Sequence, residues 1–105
     1  MEHIFDYQRE FDRGFGWNAY ENLSNEQEVV SYMQLTVLKL AEEIGEVAQE
    51  TRKILRDRQP FEPQAFKDEF IDIFVYLIQA SMALNMDLER EYYLKMEKNK
   101  QRFLK

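Results

Sequence analysis

Apolar residues return every three to four positions along nearly the whole chain, the spacing of helices that bury one side. Only three glycines and two prolines interrupt that rhythm. From Ile4 to about Arg13, Ile4, Phe5, Gln8 and Phe11 fall on one side and predict a short amphipathic helix. Gly14-Phe15-Gly16 breaks it, and Trp17 and Tyr20 follow in a predicted loop, with Asn22 to Asn25 as turn formers. Ser24 or Asn25 serves as the N-cap of a long second helix, with Glu26, Gln27 and Glu28 in its first turn and cations at its end near Leu55 or Arg56. Asp57 to Glu62 reads as a loop. Pro63 suits the first turn of a third helix running to about Leu84, where Asn85 suits a left-handed cap. Asp87 caps a last helix through about Arg102. The pattern predicts an all-α fold, a single domain over residues 1–105. It is four-helix bundle-like, with two long central antiparallel helices flanked by two shorter ones.

The polar positions inside that pattern carry the chemistry. The stretch Glu69-Phe70-Ile71-Asp72-Ile73-Phe74-Val75-Tyr76-Leu77-Ile78 is apolar over most of its circumference, so it must pack on several sides. Glu69, Asp72, Tyr76 and Gln79 form one narrow polar line on it, which then faces an interior or a cleft. On the second helix Glu42, Glu43, Glu46 and Glu50 share an arc of about 100°, opposite Val37, Leu40, Ile44, Val47, Ala48 and Leu55. Glu42–Glu46 and Glu46–Glu50 are like-charge i,i+4 pairs that mildly destabilise an isolated helix. Taken alone, this helix reads equally well as a solvated acidic face. An antiparallel pairing through the loop near Pro60, with some offset, brings Glu43 and Glu46 level with Glu69 and Asp72. A buried carboxylate needs a positive partner, and the only cation near this stretch is Lys67. An all-oxygen set of this kind suits Mg²⁺ or Mn²⁺ with positions left open for water and phosphate oxygens.

Composition narrows the classes. With 105 residues, 45% hydrophobic and 32% charged, the chain is globular and of single-domain size. A domain this small with so apolar a third helix is expected to gain core by forming a homodimer or homotetramer. A net charge of −6 and a pI of about 4.8 argue against nucleic acid or an anionic membrane as partner. No cysteine is present, which removes thiolate metal sites and cysteine nucleophiles and fits a reducing cytoplasm. His3 is the only histidine, so one chain builds neither a His-based zinc cage nor a Ser-His triad. No signal peptide and no membrane span is expected.

The carboxylates also carry a resemblance. Leu40-Ala41-Glu42-Glu43-Ile44-Gly45-Glu46, followed by Glu69-Phe70-Ile71-Asp72, resembles the EExxE…ExxD signature of the MazG-like all-α nucleoside triphosphate pyrophosphohydrolases. The segment from Lys95 to Phe103 resembles that family's KxxxNxxR segment, and the region Phe11 to Trp17 resembles the aromatic N-terminal part of dCTP-pyrophosphatase-like members. The resemblance implies hydrolysis of a (deoxy)nucleoside triphosphate to monophosphate and pyrophosphate with Mg²⁺ (or Mn²⁺), possible in nucleotide-pool housekeeping. By position, Glu43, Glu46, Glu69 and Asp72 would hold the metal, and Glu46 would also orient or deprotonate the attacking water. Lys95, Asn99 and Arg102, at i, i+4 and i+7 on one helix face, would bind phosphates, and Trp17 and Tyr76 would contact the nucleotide. Periodicity does not decide whether Glu42 or Glu50 is also a ligand. Two other readings stand beside this one. One is a phosphoribosyl-ATP pyrophosphohydrolase, which the aromatic N-terminal part disfavours. The other is a non-catalytic helical dimerisation module, in which the third helix is a seam, Trp17 and Tyr76 are packing residues and the basic face is merely solvated.

Overall fold

The computed structural model describes residues 1–104. It is all-helical: α1 spans Glu2–Phe15, a 3₁₀ turn Ala19–Asn22, α2 Glu26–Asp57, α3 Pro63–Ala83 and α4 Leu88–Phe103, with no strand among the described residues. The expected caps hold. Asn25 Oδ1 accepts from the Glu28 backbone N–H at 2.9 Å, and the Ser24 hydroxyl donates to the Glu28 carboxylate at 2.8 Å, a reciprocal arrangement that fixes where α2 begins. Pro63 opens α3, and Asp87 Oδ1 accepts from the Arg90 N–H at 3.1 Å to start α4. Asn85 adopts the left-handed conformation, with φ 51°.

Two segments differ from the expectation. α1 runs through Gly14 and stops only at Gly16, whose φ of 73° lets the Trp17 N–H reach the Asp12 carbonyl at 2.8 Å. Tyr20 is not in an open loop. It sits in the 3₁₀ turn and is buried, 4% exposed. That turn is tied back to α1 by Glu21, which accepts from Arg13 Nη2 at 2.6 Å and from Asn18 Nδ2 at 2.8 Å. These donors, Arg13 foremost, hold the Glu21 carboxyl down to about 2.

α2 and α3 form an antiparallel hairpin. Lys39 lies over Tyr76, Glu43 meets Glu69 and Asp72, and Glu46 and Glu50 share a recess with Ala65, Phe66 and Glu69, so that position rises along α2 as it falls along α3. The unequal distances of these residues from the loop are absorbed by the end of α2, which overhangs the start of α3 by about one and a half turns. The extensive packing is between α2 and α3, α3 and the 3₁₀ turn, and α1 and α3. α4 takes no part in it. It leaves α3 at 97°, and of its residues only Leu88 and Asn99 are even half-buried. A fourth helix laid alongside the others is therefore not completed within one chain. No single helix among the described residues is long and apolar enough to cross a membrane.

The core is small. Tyr20, Ile78 and Ala83 are its buried hydrophobic residues, joined by buried Asp12, Thr36 and Ser81. Much of the apolar pattern points outward: Val37, Ile44 and Leu55 on α2 and Phe70 and Ile71 on α3 are all more than half exposed. On α1 the inner face is Phe5, Gln8, Arg9 and Asp12, while Ile4 and Phe11 are exposed. The radius of gyration, 16.8 Å, exceeds the roughly 13 Å of a compact chain this long. Ile78, 1% exposed, is the anchor where these elements converge. Ile78→Ala is expected to lower unfolding free energy by about 3 kcal/mol, measured by urea denaturation; an unchanged midpoint would place the core elsewhere.

Candidate metal centre and adjoining cavity

The hairpin register sets acidic side chains from two helices against each other. One oxygen from each of Glu43, Glu69 and Asp72 lies within 4.8 Å of the others. Glu43 and Glu69 are half-buried, whereas Asp72 opens to solvent. Glu43 and Glu46 occupy successive turns of α2, and Glu69 and Asp72 successive turns of α3, so the sequence spacing alone aims each pair at the facing helix. Glu46 is not within the close trio. It is exposed and flanks it, sharing a recess with Glu69.

The electrostatics of this cluster are unfavourable as they stand. The nearness of Glu69, which favours a protonated Glu43 able to donate to it, then desolvation and the charges of Glu46, Glu69 and Asp72, push the Glu43 carboxyl up to about 7. Glu69 Oε2 is buried without a hydrogen-bond partner. The salt bridges among the described residues all lie elsewhere, Arg9 and Arg13 with Asp6 and Glu21 and Arg56 with Asp57, so no lysine or arginine relieves the trio. A buried anionic oxygen with neither donor nor cation costs free energy. Hard carboxylate oxygens converging from two directions are what a small divalent cation accepts, and the orphaned Glu69 oxygen fits that donor set.

Beside the trio lies a cavity of about 590 Å³ that Glu43 and Asp72 help to line. Its walls include Phe11, Trp17, Tyr32 and Tyr76, with Lys39, Gln8, Asp12 and Gln79 as polar members. Trp17 stacks on Phe15 at 4.9 Å between ring centres, and Phe11 packs against Phe15 at the same distance. Trp17 and Tyr76, both expected to contact a ligand, thus share one space with two of the expected metal ligands. The Tyr76 hydroxyl is pushed upward by burial and by the neighbouring acids, Glu43 foremost. Lys95, Asn99 and Arg102 do not line this cavity, since α4 projects from the end of α3. A second depression, near Leu23, Tyr32 and Leu35, is more open and holds no carboxylate cluster.

Two cavity residues are not evident from sequence. Lys39 stands one turn before Glu43 with its Nζ 5.8 Å from the centre of the Tyr76 ring. Asp12 is fully buried, and its carboxylate accepts from Tyr20 Oη at 2.7 Å, Gln8 Nε2 at 2.9 Å and Gln79 Nε2 at 3.2 and 3.1 Å. Gln8 on the expected inner side of α1, one turn before Asp12, was the available signal. Comparison with protein families, characterised proteins and solved structures finds no match for this chain.

The raised Glu43 carboxyl has a definite consequence for stability. Its folded value lies above the ordinary 4.5, so its contribution is fully present below that pH and is lost as pH rises through about 7. Glu21, held at about 2, contributes a constant amount over the same range. Without divalent ions the melting temperature is expected to fall between about pH 5 and about pH 8. Mg²⁺ or Mn²⁺, which must compete with protonation of Glu43, should raise it more at the upper end of that range than at the lower. Equal increments at both ends, or none, would dissociate the trio from metal binding.

Proposed function

We propose that the chain is a MazG-like, Mg²⁺-dependent nucleoside triphosphate pyrophosphohydrolase that releases monophosphate and pyrophosphate. The observation carrying this reading is the convergence of Glu43, Glu69 and Asp72, with an orphaned oxygen, on the rim of an aromatic cavity of nucleotide size. Glu43, Glu69 and Asp72 would hold the metal, with Glu46 completing the set from the flank. A bound Mg²⁺ supplies charge neutralisation at phosphate oxygens and a more acidic water. Glu46, solvent-facing beside Glu69, takes the proton of the attacking water as general base. Trp17 and Tyr76 provide apolar surface for the nucleotide. Lys39 adds a cation at the cavity wall between these rings and the carboxylates.

We further infer that the working form is a homo-oligomer. Three buried hydrophobic residues are a thin core for a chain that leaves so many large apolar side chains on α2, α3 and α4 in solvent. Gly45 adds to this. It lies mid-helix, where glycine costs about 1 kcal/mol relative to alanine, yet a Cβ there would meet nothing within 4 Å in the chain. Its smooth strip, beside the Glu42–Glu46 acids, leaves room for close approach by another copy. The basic face of α4, with Lys95, Asn99 and Arg102, then reaches substrate phosphates across the subunit boundary. This arrangement also distinguishes the enzyme from a purely structural dimerisation module, because it makes assembly a condition of catalysis.

Purified protein incubated with (d)NTPs and Mg²⁺ is expected to yield monophosphate and pyrophosphate; orthophosphate and diphosphate as products, or no turnover at all, would remove the reading. Asp72→Asn should abolish turnover with helicity retained. Glu46→Gln should lower kcat by about 10²–10³-fold while keeping most of the Mg²⁺-induced thermal shift. If α4 acts in trans, Asp72→Asn and Arg102→Ala, each inactive alone, should regain about one quarter of wild-type activity when unfolded and refolded together as a dimer. Failure to regain any, or a monomer by sedimentation at micromolar concentration, would confine α4 to its own chain.

A further inference from the structure

We propose that Lys39 holds the phosphoryl group attached to the sugar, the one that the monophosphate product retains. This deepens the nucleotide reading above and rests on it.

Lys39 is a cation that the neighbouring carboxylates leave alone. It is the one cationic side chain among the described residues that line the cavity. On α2 it stands three residues before Glu42 and four before Glu43, the spacings at which side chains of one helix meet. Yet none of the salt bridges among the described residues includes it. Its Nζ lies instead 5.8 Å from the centre of the Tyr76 ring, another part of the cavity wall. An ammonium has three N–H donors. A ring face attracts its charge but does not engage those donors as carboxylate oxygens would. The side chain is exposed, so charge and donors are both open to a ligand in the cavity.

Position along the hairpin says which part of a nucleotide meets it. Lys39 faces Tyr76 as Glu43 faces Glu69 and Asp72. Lys39 is one turn from Glu43, and Tyr76 one turn from Asp72, about 6 Å along each axis. The remaining rings lie on the other side of this level. Tyr32 is two turns before Lys39 on α2, and Gln79, a turn beyond Tyr76 on α3, meets Asp12 of α1 at 3.1 Å, close in sequence to Phe11 and Trp17. With the outer phosphates toward the carboxylates and the nucleoside against the rings, the first phosphoryl falls at the level of Lys39. Glu43 and Asp72 repel that anion, and Lys39 is the counter-charge that the cavity itself supplies. A compact ammonium on a flexible stem suits a tetrahedral phosphate.

The plainer alternative is that Lys39 only covers the Tyr76 ring. Calorimetry with Mg²⁺ measures the affinity of the unaltered protein, Lys39→Met and Lys39→Arg for deoxynucleoside 5′-monophosphates and for pyrophosphate, and turnover of (d)NTPs is followed alongside. Lys39→Met should weaken monophosphate binding by about tenfold or more and lower kcat/KM, with pyrophosphate affinity unchanged. Lys39→Arg, which keeps the charge, should recover most of the loss. Added salt should weaken monophosphate binding more in the unaltered protein than in Lys39→Met. Monophosphate affinity that is unchanged in Lys39→Met, that falls together with pyrophosphate affinity, or that arginine does not recover overturns the proposal, and continued triphosphate cleavage then leaves the pyrophosphohydrolase standing. Lys39-dependent monophosphate binding without any triphosphate turnover would sink the reaction and keep the phosphate contact. Neither binding nor turnover would sink both.

Discussion

Mutual repulsion among carboxylates on facing helices is the constraint around which this structure is arranged. Two helices pair well when apolar stripes meet, and this chain has apolar residues in quantity. Yet at the middle of the hairpin it places Glu43 against Glu69 and Asp72, and it leaves Glu69 Oε2 without a donor. Nearby arginines are spent elsewhere, on Glu21, Asp6 and Asp57. A fold selected for stability alone gains nothing from such a cluster, because apolar residues of similar size would pack there at no electrostatic cost. Rules broken at one place and respected around it single the cluster out as a candidate functional site.

The same logic accounts for the unusual distribution of apolar surface. α2 and α3 turn Glu43, Glu69 and Tyr76 toward each other and toward the cavity, and part of each apolar arc is left facing solvent. Val37, Ile44, Leu55, Phe70 and Ile71 are consequences of that choice of inner face. A chain that builds a wet, charged cleft inside its principal helix pair has little core left within itself. The polar interior of the hairpin displaces large hydrophobic side chains to the surface of the chain.

Local chemistry made much of the fold legible. Asn25, Pro63, Asn85 and Asp87 mark helix ends through hydrogen bonds and dihedral preferences within a few residues, and each does in the structure what its type implies. The pairing of Glu43 with Glu69 and Asp72 was legible too, since i,i+3 spacing on two helices joined by a short loop leaves few other ways to face. What could not be read was which arc turns inward where apolar and polar arcs compete. Periodicity reports that a helix has two sides, but tertiary packing decides which is buried. Hence Phe11 lies outside and Asp12 inside on α1, one residue apart. Tyr20 was hidden for a related reason: its burial depends on a turn folded back by Arg13 and Glu21, contacts no local pattern announces.

Asp12 shows how tightly such a site is bound to its scaffold. Its burial is tolerable only because donors from α1, the 3₁₀ turn and α3 converge on it. Those donors keep their orientation only because the carboxylate is there. Tyr20 is secured in its role, since burial and the Asp12 contact push its hydroxyl well above the ordinary range and keep it a proton donor. The network ties the N-terminal helix to the hairpin and at the same time fixes the chemical character of the cavity end. A change that loosens the staple must therefore also blur what the cavity presents, and a change that alters the cavity's polar edge must weaken the join. The same few hydrogen bonds thus join α1 and the 3₁₀ turn to α3 and shape the polar end of the cavity.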